Sequence, residues 1–157
     1  MSISKSPKLP LTQEEKSLLR KWKIKKSDIH KFEVQDIINI LNVSKDRAEI
    51  LKGLATFQQI PSIGYELAYK IVHHLGYHSL EQLKDKQWAE VVNCLELKMG
   101  CWTDPCVEDQ IICIIHYANH PDSEKQWFNF TNERKVYRQQ NGYPKSRPKL
   151  AWYENQN

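Results

Sequence analysis

The sequence predicts an all-α protein, a compact helical bundle with an extended C-terminal tail, and three observations carry that expectation. Apolar residues recur with the helical period of about 3.6 residues in segment after segment. Most of these segments open on Thr, Ser or Asp and close on Gly, Asn or His-Pro, the residues that cap helices. No stretch shows the alternation of apolar and polar residues that marks a half-buried strand.

Residues 1–11 contain Pro7 and Pro10 and read as a flexible, extended lead. Thr12 then opens a helix, and Glu15 three residues on completes a capping box. Leu18, Leu19 and Trp22 fall on one face of it. A basic link, KIKKSD, follows. The run VQDIINILNVSKDRAEILKGLATF reads as two helices broken at Asn42-Val43-Ser44, with Ser44 as the second N-cap. Val34, Ile37, Ile38 and Leu41 line the first; Ala48, Leu51, Leu54 and Ala55 line the second. These elements make an N-terminal helical region over 12–57.

Residues 58–130 form the next region. Ile63, Leu67, Ala68, Ile71, Val72 and Leu75 make one apolar stripe, and Gly76 is placed to end it. Ser79 and Gln82 form another capping box. Trp88 to Met99 is a helix stopped by Gly100. Asp104 followed by Pro105 is an N-cap with Pro at the first helical position. The helix they open, CVEDQIICIIHYAN, is apolar almost all round and is predicted to be the central buried helix. His120-Pro121 ends it, and SEKQWFNF reads as a short helix. Residues 131–157 hold a last helix, from Thr131 to just before Gly142, and a tail broken by prolines.

Composition bounds the function. With 40% apolar residues and five Trp, the 157-residue chain can fill a core. No run approaches the ~18 apolar residues of a membrane span, and the N-terminus lacks the apolar stretch of a signal peptide. A cytoplasmic protein with no membrane partner is expected, and Cys94, Cys101, Cys106 and Cys113 read as reduced thiols. Net charge is +4 but unevenly spread: residues 1–31 carry +6, residues 133–157 carry +4, and residues 32–132 carry −6. Basic ends can lie on nucleic acid, pack on the acidic middle, or meet a second copy of the chain.

The sharpest motif is Ile60-Pro61-Ser62-Ile63-Gly64 with Ala68 four residues past the glycine. A tight turn of this form aims successive N–H groups outward at a helix start, where the dipole adds positive charge and Gly64 leaves room for a phosphate. Such a site holds backbone phosphates without reading bases. The candidate phosphate or DNA contacts are Pro61, Ser62, Ile63, Gly64, Tyr65, Lys70 and His73. The same turn can instead serve as an architectural corner, grip a protein, or hold a small phosphorylated ligand. Glu66, two residues past Gly64, is placed to compete for the same amides.

This stretch resembles the helix-hairpin-helix motif of DNA-binding proteins, with Ser62 standing where the motif has its first glycine. The resemblance extends further. Gly100-Cys101, Asp104, Cys106-Val107, Cys113 and the His120-Pro121-Asp122 corner are similar to the second half of the bacterial pathogenicity-locus family, small helix-hairpin-helix proteins also called mitomycin-resistance-like. With the hairpin, the likeness covers roughly residues 50–130. It implies an all-helical fold and a DNA-binding role.

Other constellations in the sequence have plainer readings beside the functional ones. Lys45 and Arg47 would face a major groove if residues 36–55 were a helix-turn-helix, but Asp46 and Glu49 share that face, which favours a plain helical pair. Cys106, Cys113 and His120 are spaced by sevens and spread over about 20 Å of helix, too far apart to share one ion, so packing cysteines and no metal are expected. Arg134, Arg138, Tyr143, Lys145, Arg147 and Trp152 form a second, basic and aromatic group of the kind single strands favour. Its plainer reading, which is preferred, is a tail anchored on the bundle by Trp152. No Gly-rich nucleotide loop, metalloprotease helix or serine elbow occurs, so neither catalysis nor a cofactor is expected. The expected function is non-enzymatic phosphate recognition, foremost sequence-independent DNA binding. The alternatives are an oligomeric protein that sequesters a small nucleotide ligand, or a protein-interaction adapter.

Overall fold

The computed structural model describes residues 4–154. They divide into two units: residues up to Ile60 with Gly64–Gln82, and Pro61–Ile63 with the residues from Leu83 on.

In the first unit, α1 (Gln13–Lys21), a 3-10 segment (Lys26–Lys31), α2 (Val34–Leu41) and α3 (Lys45–Phe57) precede α4 (Tyr65–Tyr69), which runs into a π-helical turn, Lys70–His74. Leu19, Ile29, Ile37, Leu41, Ala48, Leu51 and Ala55 form its core, as the period of the apolar residues requires. The break between α2 and α3 falls at Asn42, whose left-handed backbone (φ 53°) turns the chain, and the Ser44 hydroxyl accepts the Arg47 N–H at 3.1 Å. The π turn had no signal in the apolar stripe. It buries the adjacent Ile71 and Val72 together.

The capping box at Thr12 forms, and it does more than cap. The Thr12 N–H donates to Glu15 at 2.9 Å and the Glu15 N–H to the Thr12 hydroxyl at 3.0 Å. Arg47 then reaches the same carboxylate with Nε at 3.1 Å and Nη2 at 2.9 Å, and donates to the Pro10 carbonyl at 2.6 Å. Arg47 is thus spent inside the fold, on a carboxylate 32 residues away, instead of facing a groove. Its hydrogen bonds hold the Glu15 carboxyl below the ordinary 4.5. An acid whose folded value is depressed contributes stability that is fully present above its unfolded value and is lost as pH falls through the folded one. Melting temperature should therefore fall on acidification below about 4.5, and Glu15→Gln should flatten that limb in a pH series of thermal melts.

Two further details of this unit were not visible as periodicity. The Gln58 side chain accepts the Lys8 N–H at 2.9 Å and donates to the Lys8 carbonyl at 2.8 Å; Gln59 does the same for Lys5 at 2.9 and 2.7 Å. The lead expected to be flexible is therefore docked along the end of α3 from Lys5 to Lys8. Gly53 sits inside α3, where a Cβ would lie 2.9 Å from both the His78 Cα and the Val72 Cγ2. A backbone atom cannot yield as a side chain can, so Gly53→Ala should destabilise by about 1–3 kcal/mol despite alanine's higher helix propensity, as urea denaturation would show.

The chain passes through α5 (Leu80–Leu83) into the second unit, which holds α6 (Trp88–Met99), α7 (Pro105–Asn119), a 3-10 segment (Trp127–Phe130) and α8 (Thr131–Asn141). Gly100 ends α6 in the left-handed conformation (φ 73°), and the Asp104 carboxylate accepts the Cys106 N–H at 2.8 Å to open α7. Ile111, Ile112, Cys113, Ile114 and Ile115 of α7 are buried, as are Val91, Val92 and Leu95 of α6. The apolar helix is central, but two carboxylates in it, Glu108 and Asp109, are buried as well. SEKQWFNF is helical only at Trp127–Phe130.

The tail is anchored, though not by Trp152. Trp102 donates to the Leu150 carbonyl and accepts from the Trp152 N–H, both at 2.9 Å, in a parallel bridge to Ala151. Ala151 is 1% exposed and the Trp152 side chain 46%. Glu154 closes the outer side: its carboxylate accepts the Ala151 N–H at 2.8 Å and its N–H donates back at 3.0 Å. No strand occurs among the described residues beyond that single bridge, and no helix among them is long and apolar enough to cross a membrane.

Candidate nucleic-acid interface

The turn after α3 places each predicted contact by a different cause. Ser62 takes the left-handed backbone (φ 66°) that the motif assigns to glycine, a conformation that costs a residue with a Cβ roughly 1–2 kcal/mol. Its hydroxyl offsets part of this, accepting the Trp127 N–H at 2.9 Å and donating to the Pro61 carbonyl at 2.5 Å. Ile63 is buried, so its side chain offers nothing to a ligand. Pro61, Ser62 and Ile63 count with the second unit; Gly64, Tyr65, Lys70 and His73 count with the first.

Within the first unit, Gly64 is the N-cap of α4, and no side chain caps that helix. Its carbonyl accepts the Ala68 N–H at 3.2 Å, so the helix is properly begun. Among the described residues the Glu66 carboxylate makes no hydrogen bond, so it does not cap the first-turn amides there. Gly64 itself has an ordinary extended backbone (φ −104°, ψ −170°), and a Cβ there would meet nothing within 4 Å. Neither conformation nor packing asks for glycine at this position, and the backbone there lies open.

Positive charge stands beside it. The Lys8 ammonium lies 5.4 Å from the centre of the Tyr65 ring, held there by the clamp that Gln58 puts on the Lys8 backbone. Lys70 forms no ion pair among the described residues. Tyr69, half-way along, stacks on His73 with ring centres 4.2 Å apart. Burial, with Lys70 and His73 nearby, lowers the His74 pKa and so favours its neutral ring. Lys8 has no specific place in the sequence reading, which takes residues 1–11 as a flexible lead; what places it is the Gln58 side chain, which bonds both the Lys8 N–H and its carbonyl.

The second predicted group divides. Three arginines turn inward onto buried carboxylates. Arg134 Nε meets Asp109 at 2.6 Å, and the Thr131 hydroxyl donates to the same group at 2.8 Å. Arg138 Nε meets Glu108 at 2.8 Å, and the Tyr143 hydroxyl donates to its other oxygen at 2.7 Å. Arg147 grips Glu96 with two bonds, at 2.9 and 3.1 Å, and the Thr103 N–H adds a third at 2.7 Å. The Tyr143 ring lies against both guanidinium groups, 4.0 Å from Arg138 and 3.6 Å from Arg147. Burial and the bond to Glu108 raise the Tyr143 pKa. The hydrogen bond that Arg134 donates to Asp109 raises the Arg134 pKa. Burial alone would lower the Arg147 pKa, and Glu96 more than reverses it. Half of the Lys and Arg charges of residues 133–157 are thus balanced inside this unit. Lys145 and Trp152 remain on the surface.

Among known families, the one described as Cdd1, pathogenicity locus, matches residues 50–136. No curated protein and no solved structure matches the chain. The matched region takes in Gly64, Glu96, Glu108, Asp109 and Arg134, and ends before Arg138, Tyr143 and Arg147.

Proposed function

The chain belongs to the Cdd1 pathogenicity-locus family, and from that premise we propose that it is a non-enzymatic protein that grips the phosphate backbone of nucleic acid without reading sequence. The observation that carries this reading is Gly64, a glycine with no conformational or packing reason to be one, at an uncapped helix start. A phosphate oxygen there would meet first-turn N–H groups and the positive end of the helix dipole. Lys8 and Lys70 would add attraction that ignores sequence, and Tyr65 would lie against the sugar-phosphate chain. The motif resembling a helix-hairpin-helix turn supports the same role.

The small-nucleotide alternative drew on the basic and aromatic C-terminal group. Arg134, Arg138 and Arg147 answer buried carboxylates, which leaves that group little charge for a phosphate. The backbone reading is therefore preferred.

Titration of mixed-sequence duplexes and single strands by fluorescence anisotropy tests it. Log K should fall linearly with log salt, with a slope of about −2 to −3 if two or three phosphates are neutralised, and affinity should be alike across sequences. No binding to any polyanion, or binding indifferent to salt, would overturn the proposal.

A further inference from the structure

Trp22 leaves the apolar stripe of α1. Leu19 is buried in the core of the first unit and Leu18 packs against it, while Trp22, the next residue of the stripe, is 56% exposed. The way α1 stops is the cause. Lys23 takes the left-handed backbone (φ 56°), its N–H donates to the Arg20 carbonyl at 3.1 Å, and the Ile24 N–H reaches the Leu19 carbonyl at 2.9 Å. Helices that close in this manner usually employ glycine where Lys23 stands. The turn returns Ile24, not Trp22, to the core.

The ring stands among cations. Arg20, Lys21, Lys23, Lys25 and Lys26 are all exposed, with no acid between them in the sequence. The Lys21 ammonium lies 5.6 Å from the centre of the Trp22 ring. Arg20 donates to the Ser17 hydroxyl at 3.2 Å, and Asp28, the next acid along the chain, is paired with Lys31 at 3.5 Å. None of the five forms an ion pair among the described residues. The backbone dipole of α1 favours Arg20 and Lys21 in its last turn. Lys25 and Lys26 stand at the start of the 3-10 segment, where a cation gains nothing from it. Local structure therefore leaves Lys23, Lys25, Lys26 and the open ring without a reason. The charge calls for a polyanion, and the ring decides which. An anionic lipid surface takes up an apolar face, but Leu18 and Ile24 are packed against the core, which leaves one ring to enter. A duplex presents phosphates without a free base face. A single strand presents both, and a base stacks on an aromatic ring whatever its identity.

We propose that the end of α1 is a single-strand contact, with a base stacked on Trp22 and the flanking phosphates on Lys21, Lys23 and Lys25. This rests on nucleic acid being the partner, as read above, and adds what the Gly64 turn lacks, a preference for unpaired bases. No residue is shared between the two contacts, and the family match begins at residue 50, beyond this one. A strand held at both points loses most of its affinity when either is removed.

Anisotropy of the full chain with labelled oligothymidylate, an abasic strand of the same length and a duplex tests it. Trp22→Ala should weaken oligothymidylate about tenfold, change the abasic strand and the duplex less than about twofold, and leave the melting temperature near parent. Trp22→Phe should keep most of the affinity. Lys23→Gly, which suits the left-handed backbone, should bring the single-strand slope of log K against log salt closer to zero by about 0.7. Oligothymidylate binding as tight in Trp22→Ala as in the parent would overturn this contact and leave the Gly64 reading standing. So would an equal loss on the abasic strand, which would mean charge without stacking. Loss of binding to phosphatidylserine vesicles in Trp22→Ala, with oligothymidylate unaffected, would assign the surface to lipid instead. A parent that binds no polyanion would overturn both readings.

Discussion

Gly64→Asp is expected to raise the melting temperature and to abolish nucleic-acid binding in the same molecule. The two effects share one cause. An Asp at the N-cap accepts a first-turn N–H and sets a negative charge at the positive end of the helix dipole. It also removes the conformational freedom glycine has in the unfolded chain. Together these should add about 1 kcal/mol, or a rise of about 2–4 °C for a chain of this size. The open space around the position means that nothing must move to admit the side chain. That side chain would occupy the amides a phosphate needs and repel the phosphate besides, so affinity should fall at least tenfold at low salt. Gly64→Ala should leave stability near parent and weaken binding less. Calorimetry and anisotropy on the three proteins decide the matter. An Asp variant that binds as tightly as its parent would remove the turn from the interface.

Glu108→Ala should be among the most damaging single substitutions in the second unit. The carboxylate is fully buried, and its loss would strand the Arg138 guanidinium and the Tyr143 hydroxyl. Breaking a buried pair from one side typically costs about 3–5 kcal/mol. Replacing the whole set removes the charges and their need for partners together. Glu108→Leu with Arg138→Met and Tyr143→Phe should therefore recover most of the loss. Urea denaturation followed by tryptophan fluorescence would register both. If Glu108→Ala stays within about 1 kcal/mol of the parent, water reaches the pair and the burial argument fails.

The same residues explain why the candidate sites were only partly readable. Gly64 was found because its turn is a local pattern of five residues, Ile60 to Gly64. The open state of its amides was not, since Glu66 could have folded back onto them. The arginines of the last segment were noticed as charge, but charge in a sequence carries no address. Arg134, Arg138 and Arg147 pair across 25, 30 and 51 residues, and nothing periodic links such positions. A helix that looked apolar all round concealed Glu108 and Asp109 for the same reason.

By itself, the sequence determined where those helices begin and end that carry a local cap or stop. Thr12 with Glu15, Ser44, Asp104-Pro105, Gly100 and Gly142 act within one turn of chain, where hydrogen bonds and backbone sterics need no distant partner. Only the tertiary structure decided which charges remain available. A lysine, an arginine or a carboxylate is solvated or spent according to what the fold carries beside it, and burial makes the difference between a weak surface pair and an obligatory one.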